Sequence, residues 1–168
     1  MQSSEHDGAQ MRMSNMHGPL AHNPYVALLV SIGVSFVVMF GLMYAMADRF
    51  SNVFANLSNV YMTGLMASSM LPVMLATMPG MFKDRRLNLV MWALSAGLLL
   101  LFWVLLRNEA GVGDRQFLRA MIPHHSAAIQ MCEQSSISDS VVKKLCGDII
   151  TSQRQEIATM KALLAAGK

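Results

Sequence analysis

The chain has 168 residues, of which 54% are hydrophobic and only 14% are charged, a balance too apolar for an ordinary soluble domain. Its net charge of +3 is modest, and no basic run alternates with aromatic residues, which argues against nucleic acid as a partner. Seventeen methionines are unusual; they serve either as adaptable packing groups or as thioether ligands for a soft metal ion.

Residues 1–24 form a polar tail whose only charges are Glu5, Asp7 and Arg12. It lacks the basic start and early apolar core of a signal peptide, so the chain is expected to keep its N-terminus and to insert through its own spans. Met11, Met13, Met16 and His17, with His6 and His22 nearby, are spaced to fold around Cu(I). A disordered tail with incidental methionines fits the same residues.

Residues 25–106 read as a three-helix transmembrane region. Tyr25–Ala47 carries no charge and is long enough to cross a bilayer, as is Val60–Phe82, although Thr63, Ser68, Ser69 and Pro72 interrupt it. Leu87–Leu106 is the least interrupted. Tyr25, Tyr61, Phe82 and Trp103 stand near the expected ends, where aromatic rings favour the interface. Small residues recur four apart, as at Gly64 and Ser68 or Ala93 and Gly97, and let helix backbones approach closely. They fit a packed bundle or a homo-oligomer. No ionisable residue lies inside a span, which argues against an ion-coupled pump.

The second span carries Met62, Met66, Met70, Met74 and Met78, and the first adds Met39, Met43 and Met46. Four-residue spacing puts neighbours on one face, yet each step advances about 400° around a helix of 3.6 residues per turn, so the stripe winds. It resembles the Met-x-x-x-Met element of eukaryotic high-affinity copper transporters, which also have three spans. That resemblance implies a thioether path for copper; interhelix packing uses the same residues.

Beyond the linker Arg107–Gly113, residues 114–168 have a different character. Asp114 is the expected N-cap of a helix reaching about Gln134, with apolar positions at Phe117, Leu118, Met121, Ile122, His125, Ala128, Ile129 and Cys132. Ser135–Ser140 supplies a turn and caps. Val141–Ala166 repeats the stripe, and two such helices on a short turn make an antiparallel hairpin. The fold class is therefore all-α: three transmembrane helices and a C-terminal helical hairpin.

The hairpin concentrates metal-binding chemistry. Folding it about Ile137 sets Met121 opposite Gln153 and His125 opposite Ile149, which brings His124 and His125 within one or two turns of Gln153 and Glu156. Met121 precedes His125 by one turn, Met131 lies seven residues beyond His124, and Met160 follows Glu156 by one turn. Imidazoles and thioethers on one side of a hairpin suit Cu(I) or Ag(I), with Glu156 as a ligand or as the group that orients a histidine. Pro123 bends the helix just before the pair.

Cys132 and Cys146 invite a disulfide in an oxidising compartment, but the register argues against one within the chain. Cys146 is offset by about 6 Å along the axis. Added to an interhelix distance of about 8–10 Å, that exceeds the span of a disulfide. Free thiols, or pairing between chains, are expected.

The run Phe117, Met121, Ile122, His124, His125, Ala128, Met131, followed by Gln153, Glu156, Ile157 and Met160, is similar to the bacterial domain-of-unknown-function family numbered 305. The resemblance covers about the last third of the chain. It implies a ferritin-like helical domain, copper handling in the periplasm, and copper-handling partner proteins. In its fuller form the family has two helical pairs; this chain is expected to have one, which either dimerises to complete a bundle or packs against its own membrane helices. A di-iron oxidase would need Glu-x-x-His elements, and none occurs.

Basic residues do not fix orientation, since Arg12, Lys83, Arg85 and Arg86 balance Arg49, Arg107, Arg115 and Arg119. The family resemblance favours a multi-pass protein of the bacterial inner membrane, in contact with lipid, with its hairpin in the periplasm. The expected function is membrane-anchored copper or silver binding and tolerance, without enzymatic activity. Its metal ligands are drawn from Met121, His124, His125, Met131, Gln153, Glu156 and Met160. The alternative is a small copper-permeating protein that uses the methionines of the second span.

Overall fold

The computed structural model describes residues 23–167, and every regular element among them is helical. The tail residues Met11, Met13, Met16, His17, His6 and His22 lie outside that range. The helices are α1 (Pro24–Leu42), α2 (Leu57–Thr77), α3 (Arg85–Arg107), α4 (Asp114–Gln134) and α5 (Ser140–Ala165), with a short 3-10 turn at Phe50–Asn52. Three of them, α1, α2 and α3, are long and apolar enough to cross a membrane.

Four helices start at a side-chain cap. Asn23 Oδ1 accepts from the backbone N–H of Tyr25 at 3.0 Å, Asn56 from Asn59 at 2.9 Å, Asp84 from Arg86 at 2.8 Å and Asp139 from Val141 at 2.8 Å. Each satisfies a donor that the first turn would otherwise leave unpaired. Helix α4 differs from expectation. Its N-cap is Gly113, without a side-chain bond, and Asp114 is its first residue, where a carboxylate complements the positive end of the helix dipole.

Two membrane-length helices end earlier than the apolar runs suggest. Helix α2 stops at Thr77 because Pro79 disfavours helical geometry at the residue before it, and Met78 sits at φ −122°, ψ 53°. Helix α1 stops at Leu42, and the backbone continues in tight turns that bond Tyr44 to Gly41 and Ala45 to Leu42.

Helix α2 is the central one, burying Thr63, Gly64, Ala67, Ser68, Leu71 and Leu75. Pro72 has no N–H to give the carbonyl of Ser68, four residues back. The Ser95 hydroxyl of α3 donates to that carbonyl at 3.1 Å instead, so the break in the ladder becomes an interhelix bond. At Gly64 the Phe102 ring of α3 approaches so closely that a Cβ would lie 2.5 Å from it. The start of α1 is fixed to the α2–α3 loop, since Tyr25 Oη donates to Asn88 Oδ1 at 2.8 Å and accepts from the Asp84 N–H at 3.1 Å.

Helices α4 and α5 pack side by side around Leu118, Ile122, Ile129, Ile157 and Met160. Arg154 donates to Glu133 at 2.5 Å, and Cys132 and Cys146 form a disulfide with Cα atoms 5.3 Å apart. The bond corrects the expectation of free or interchain thiols. A distance between helix axes overstates the gap between facing residues, because each Cα lies about 2.3 Å off its axis. Axes about 8–10 Å apart thus leave only about 3–5 Å between facing Cα atoms. The register also differs: His125 faces Glu156 and not Ile149, since the turn does not fold symmetrically about Ile137.

The segment between α1 and α2 is fastened to the hairpin. Ser126, fully buried in α4, donates its hydroxyl to Asp48 Oδ1 and accepts from the Asp48 N–H at 2.8 Å. Asn52 donates to the same carboxylate at 2.6 Å. Near the root of the hairpin Tyr61 donates to the Ala110 carbonyl at 2.6 Å and Ser58 to Glu109 at 2.6 Å. The Asp48 bonds hold the foot of α1 against α4, and the Tyr61 and Ser58 bonds tie the start of α2 to the α3–α4 linker.

Candidate metal site

The two adjacent histidines face different surroundings. Successive helix residues are about 100° apart, so one ring can enter the α4–α5 seam only if the other leaves it. His125 takes the seam, with Nδ1 2.9 Å from Glu156 Oε2. The oxygen lies off the direction in which the ring N–H points, so Nδ1 is buried in close contact with the carboxylate without a directed hydrogen bond. Gln153 donates weakly to the same carboxylate oxygen at 3.5 Å. Burial pushes the His125 pKa down and the neighbouring His124 adds to this; the Glu156 charge opposes both and does not prevail. The imidazole therefore favours its neutral form, the form in which histidine binds metals.

His124 lines a cavity of about 330 Å³ between the hairpin and the foot of α1. Met121 lines it from the same helix, Met43 and Met46 from the turns after α1, and Glu109 from the α3–α4 linker. Tyr44 also lines it, and its hydroxyl is buried without a hydrogen-bond partner among the described residues. No three His, Cys, Asp or Glu side chains converge among the described residues. The cavity's lining donors are instead three thioethers, one imidazole and the Glu109 carboxylate, with Ser58, which donates to that carboxylate, and Asn59 beside them. That set suits a soft ion better than a hard one.

The seven residues singled out from sequence thus separate. Met121 and His124 share the cavity; His125, Gln153 and Glu156 share the seam. Met131 is 57% exposed, and Met160 is packed in the apolar core of the hairpin. Met62 and Met66 of α2 and Met78 just beyond it face outward, while Met74 packs against the cluster of Tyr25, Leu28, Leu71, Leu75 and Phe82.

The chain matches the family described as "Domain of unknown function (DUF305)" over residues 58–164. It belongs to that family. The match to DUF305 runs from α2 to α5 and so takes in two helical pairs, α2–α3 and α4–α5; the histidine motif marks only the second. An uncharacterized protein of Acanthamoeba polyphaga mimivirus is 29% identical over 140 residues, which are 82% of this chain and 90% of that protein. No solved structure matches.

Among the contributors to the cavity of this DUF305 chain that lie outside the hairpin, three come from the end of the first span. Met43 and Met46 are visible as a short stripe on the first span, but nothing local joins them to His124. Tyr44 carries no motif. The signal that would have found all three is the docking of Asp48 on Ser126, which brings the end of α1 to the middle of α4.

Proposed function

We propose that this DUF305 protein is a membrane-anchored binder of a soft metal ion, copper or silver, at the junction of the hairpin with the foot of the first helix. The observation that carries the reading is the cavity shared by His124, Met121, Met43 and Met46. Thioethers and neutral imidazole are the ligands that Cu(I) and Ag(I) prefer. Glu109 offers countercharge at the rim. The role of His125, with Glu156 and Gln153, is to fix the rotation of α4 that turns His124 into the cavity.

The reading extends to location. The Cys132–Cys146 disulfide fits an oxidising compartment, and the Lys83, Arg85, Arg86 cluster at the opposite end of the helices fits a cytoplasmic loop. Both agree with a bacterial inner-membrane protein whose hairpin is periplasmic. Holding copper there would lower its free concentration at the membrane surface, and so confer tolerance.

The test is a Cu(I) competition titration of the full-length protein in detergent, against a variant carrying Met43→Leu and Met46→Leu. The reading predicts that the double variant binds much more weakly while Met62→Leu with Met66→Leu binds like the parent. Equal binding by all three proteins would refute it.

A further inference from the structure

A second cavity, of about 300 Å³, lies at the root of the hairpin and has different chemistry. Arg115 and Arg119 line it from the first turns of α4, Lys161 from the last turns of α5, and Phe54 and Leu164 form an apolar wall. Three cations and no carboxylate surround one space. Among the described residues none of the three takes part in an ion pair, whereas the neighbouring Arg49 is paired with Asp48 and Arg154 with Glu133. Arg119 and Lys161 are half-buried, and Arg115 is exposed at the mouth of the space. Like charges gathered around one space repel one another, and an anion between them reverses the sign of that energy.

The place of the cavity narrows the anion. Phe54 stands just before the N-cap of α2, and Arg115 just after the linker from α3. The cavity therefore sits where two membrane-length helices end. In the same connector Phe50 is 98% exposed, an aromatic ring with nothing from its own chain upon it, as expected of a residue seated at the membrane interface. An inorganic anion would need the cations alone and would gain nothing from Phe54 and Leu164.

We propose that this cavity binds the phosphate headgroup of an anionic glycerophospholipid. Arg115, Arg119 and Lys161 surround the phosphate oxygens, and Phe54 and Leu164 contact the glycerol and first methylenes. Arginine presents a planar fork that matches phosphate, and lysine adds a point charge. The site is independent of the metal cavity, which opens on the other side of α4.

The experiment reconstitutes the full-length protein in vesicles of phosphatidylcholine alone and of phosphatidylcholine doped with phosphatidylglycerol, and reads the melting temperature. The expected result is an upward shift of roughly 2–4 °C with phosphatidylglycerol. The shift is lost in a variant carrying Arg115→Gln, Arg119→Gln and Lys161→Gln, and kept in one carrying Arg85→Gln and Arg86→Gln at the opposite end. The charge-keeping variant Arg115→Lys, Arg119→Lys retains most of it. Native mass spectrometry of the unaltered protein supplies a readout that does not depend on any variant folding, with phosphatidylglycerol retained in preference to phosphatidylcholine. No shift in the parent, an equal shift in the triple variant, or no lipid preference in the mass spectrum would overturn the proposal. A full shift produced by inorganic phosphate in detergent would overturn the lipid assignment in favour of a free-anion site.

Discussion

His124 and His125 are neighbours whose ring centroids lie 6.1 Å apart with planes inclined by 59°. One lines a methionine-rich cavity against α1, and the other contacts Glu156 in the hairpin seam. Under the proposed reading the paired-histidine motif divides into two roles, His124 as a ligand and His125 as a positioning residue.

The two histidines should therefore respond differently to substitution. His124→Ala is expected to weaken Cu(I) binding by more than the roughly 10–100-fold that loss of an outer partner costs, and His125→Ala by no more than that range. Competition titration checks this, and equal losses would place both rings on the ion.

Protonation of His125 should be visible in the metal-free protein. Its pKa in the folded chain lies below the ordinary 6.5, so the unfolded chain binds the proton more readily and protonation favours unfolding. The contribution to stability is present above 6.5 and is lost as pH falls from there toward the lowered folded value. Melting curves over that window should decline on acidification, and His125→Gln should flatten the decline. A decline unchanged in the variant would assign it to another group.

The disulfide closes a loop between residues 14 apart. Chain-entropy arguments assign about 3 kcal/mol to a loop of that size. Cys132→Ser with Cys146→Ser should destabilise the hairpin by about that amount, and the untreated protein should take up a maleimide only after reduction and unfolding. Labelling without reductant would contradict the pairing.

Helix α2 should be intolerant at two small positions. Gly64→Ala drives a methyl group into the Phe102 ring, an overpacking that typically costs about 1–3 kcal/mol. Ser95→Ala strips the Ser68 carbonyl of the donor that replaces the missing N–H of Pro72, a loss of similar size when the carbonyl is buried. Thermal aggregation in detergent reads both, and parent-like stability of either would show that α2 and α3 relax there.

Much of this was legible in the chain. Long uncharged apolar runs mark α1, α2 and α3, and a 3.6-residue stripe broken at Ser135–Ser140 marks α4 and α5. The helix end at Thr77 was available in Pro79. The split of the histidines follows from helix geometry once one ring is placed in the seam. The disulfide was hidden by taking axis separation for Cα separation. The cavity was not legible at all, because Asp48 and Ser126, which assemble it, are 78 residues apart and neither belongs to a metal-binding motif. The methionines of α2 show the reverse case, a regular pattern whose members point outward or into packing. Replacing Met66, Met70 and Met74 by Leu should leave Cu(I) binding and copper tolerance unchanged; loss of either would revive a path along α2.

The most direct measurement is X-ray absorption at the copper edge of the full-length protein loaded with one Cu(I). The account predicts a first shell of mixed sulfur and nitrogen, with sulfur falling in the Met43→Leu, Met46→Leu variant and nitrogen falling in His124→Ala. A shell of nitrogen and oxygen alone, unchanged by the methionine substitutions, would contradict it.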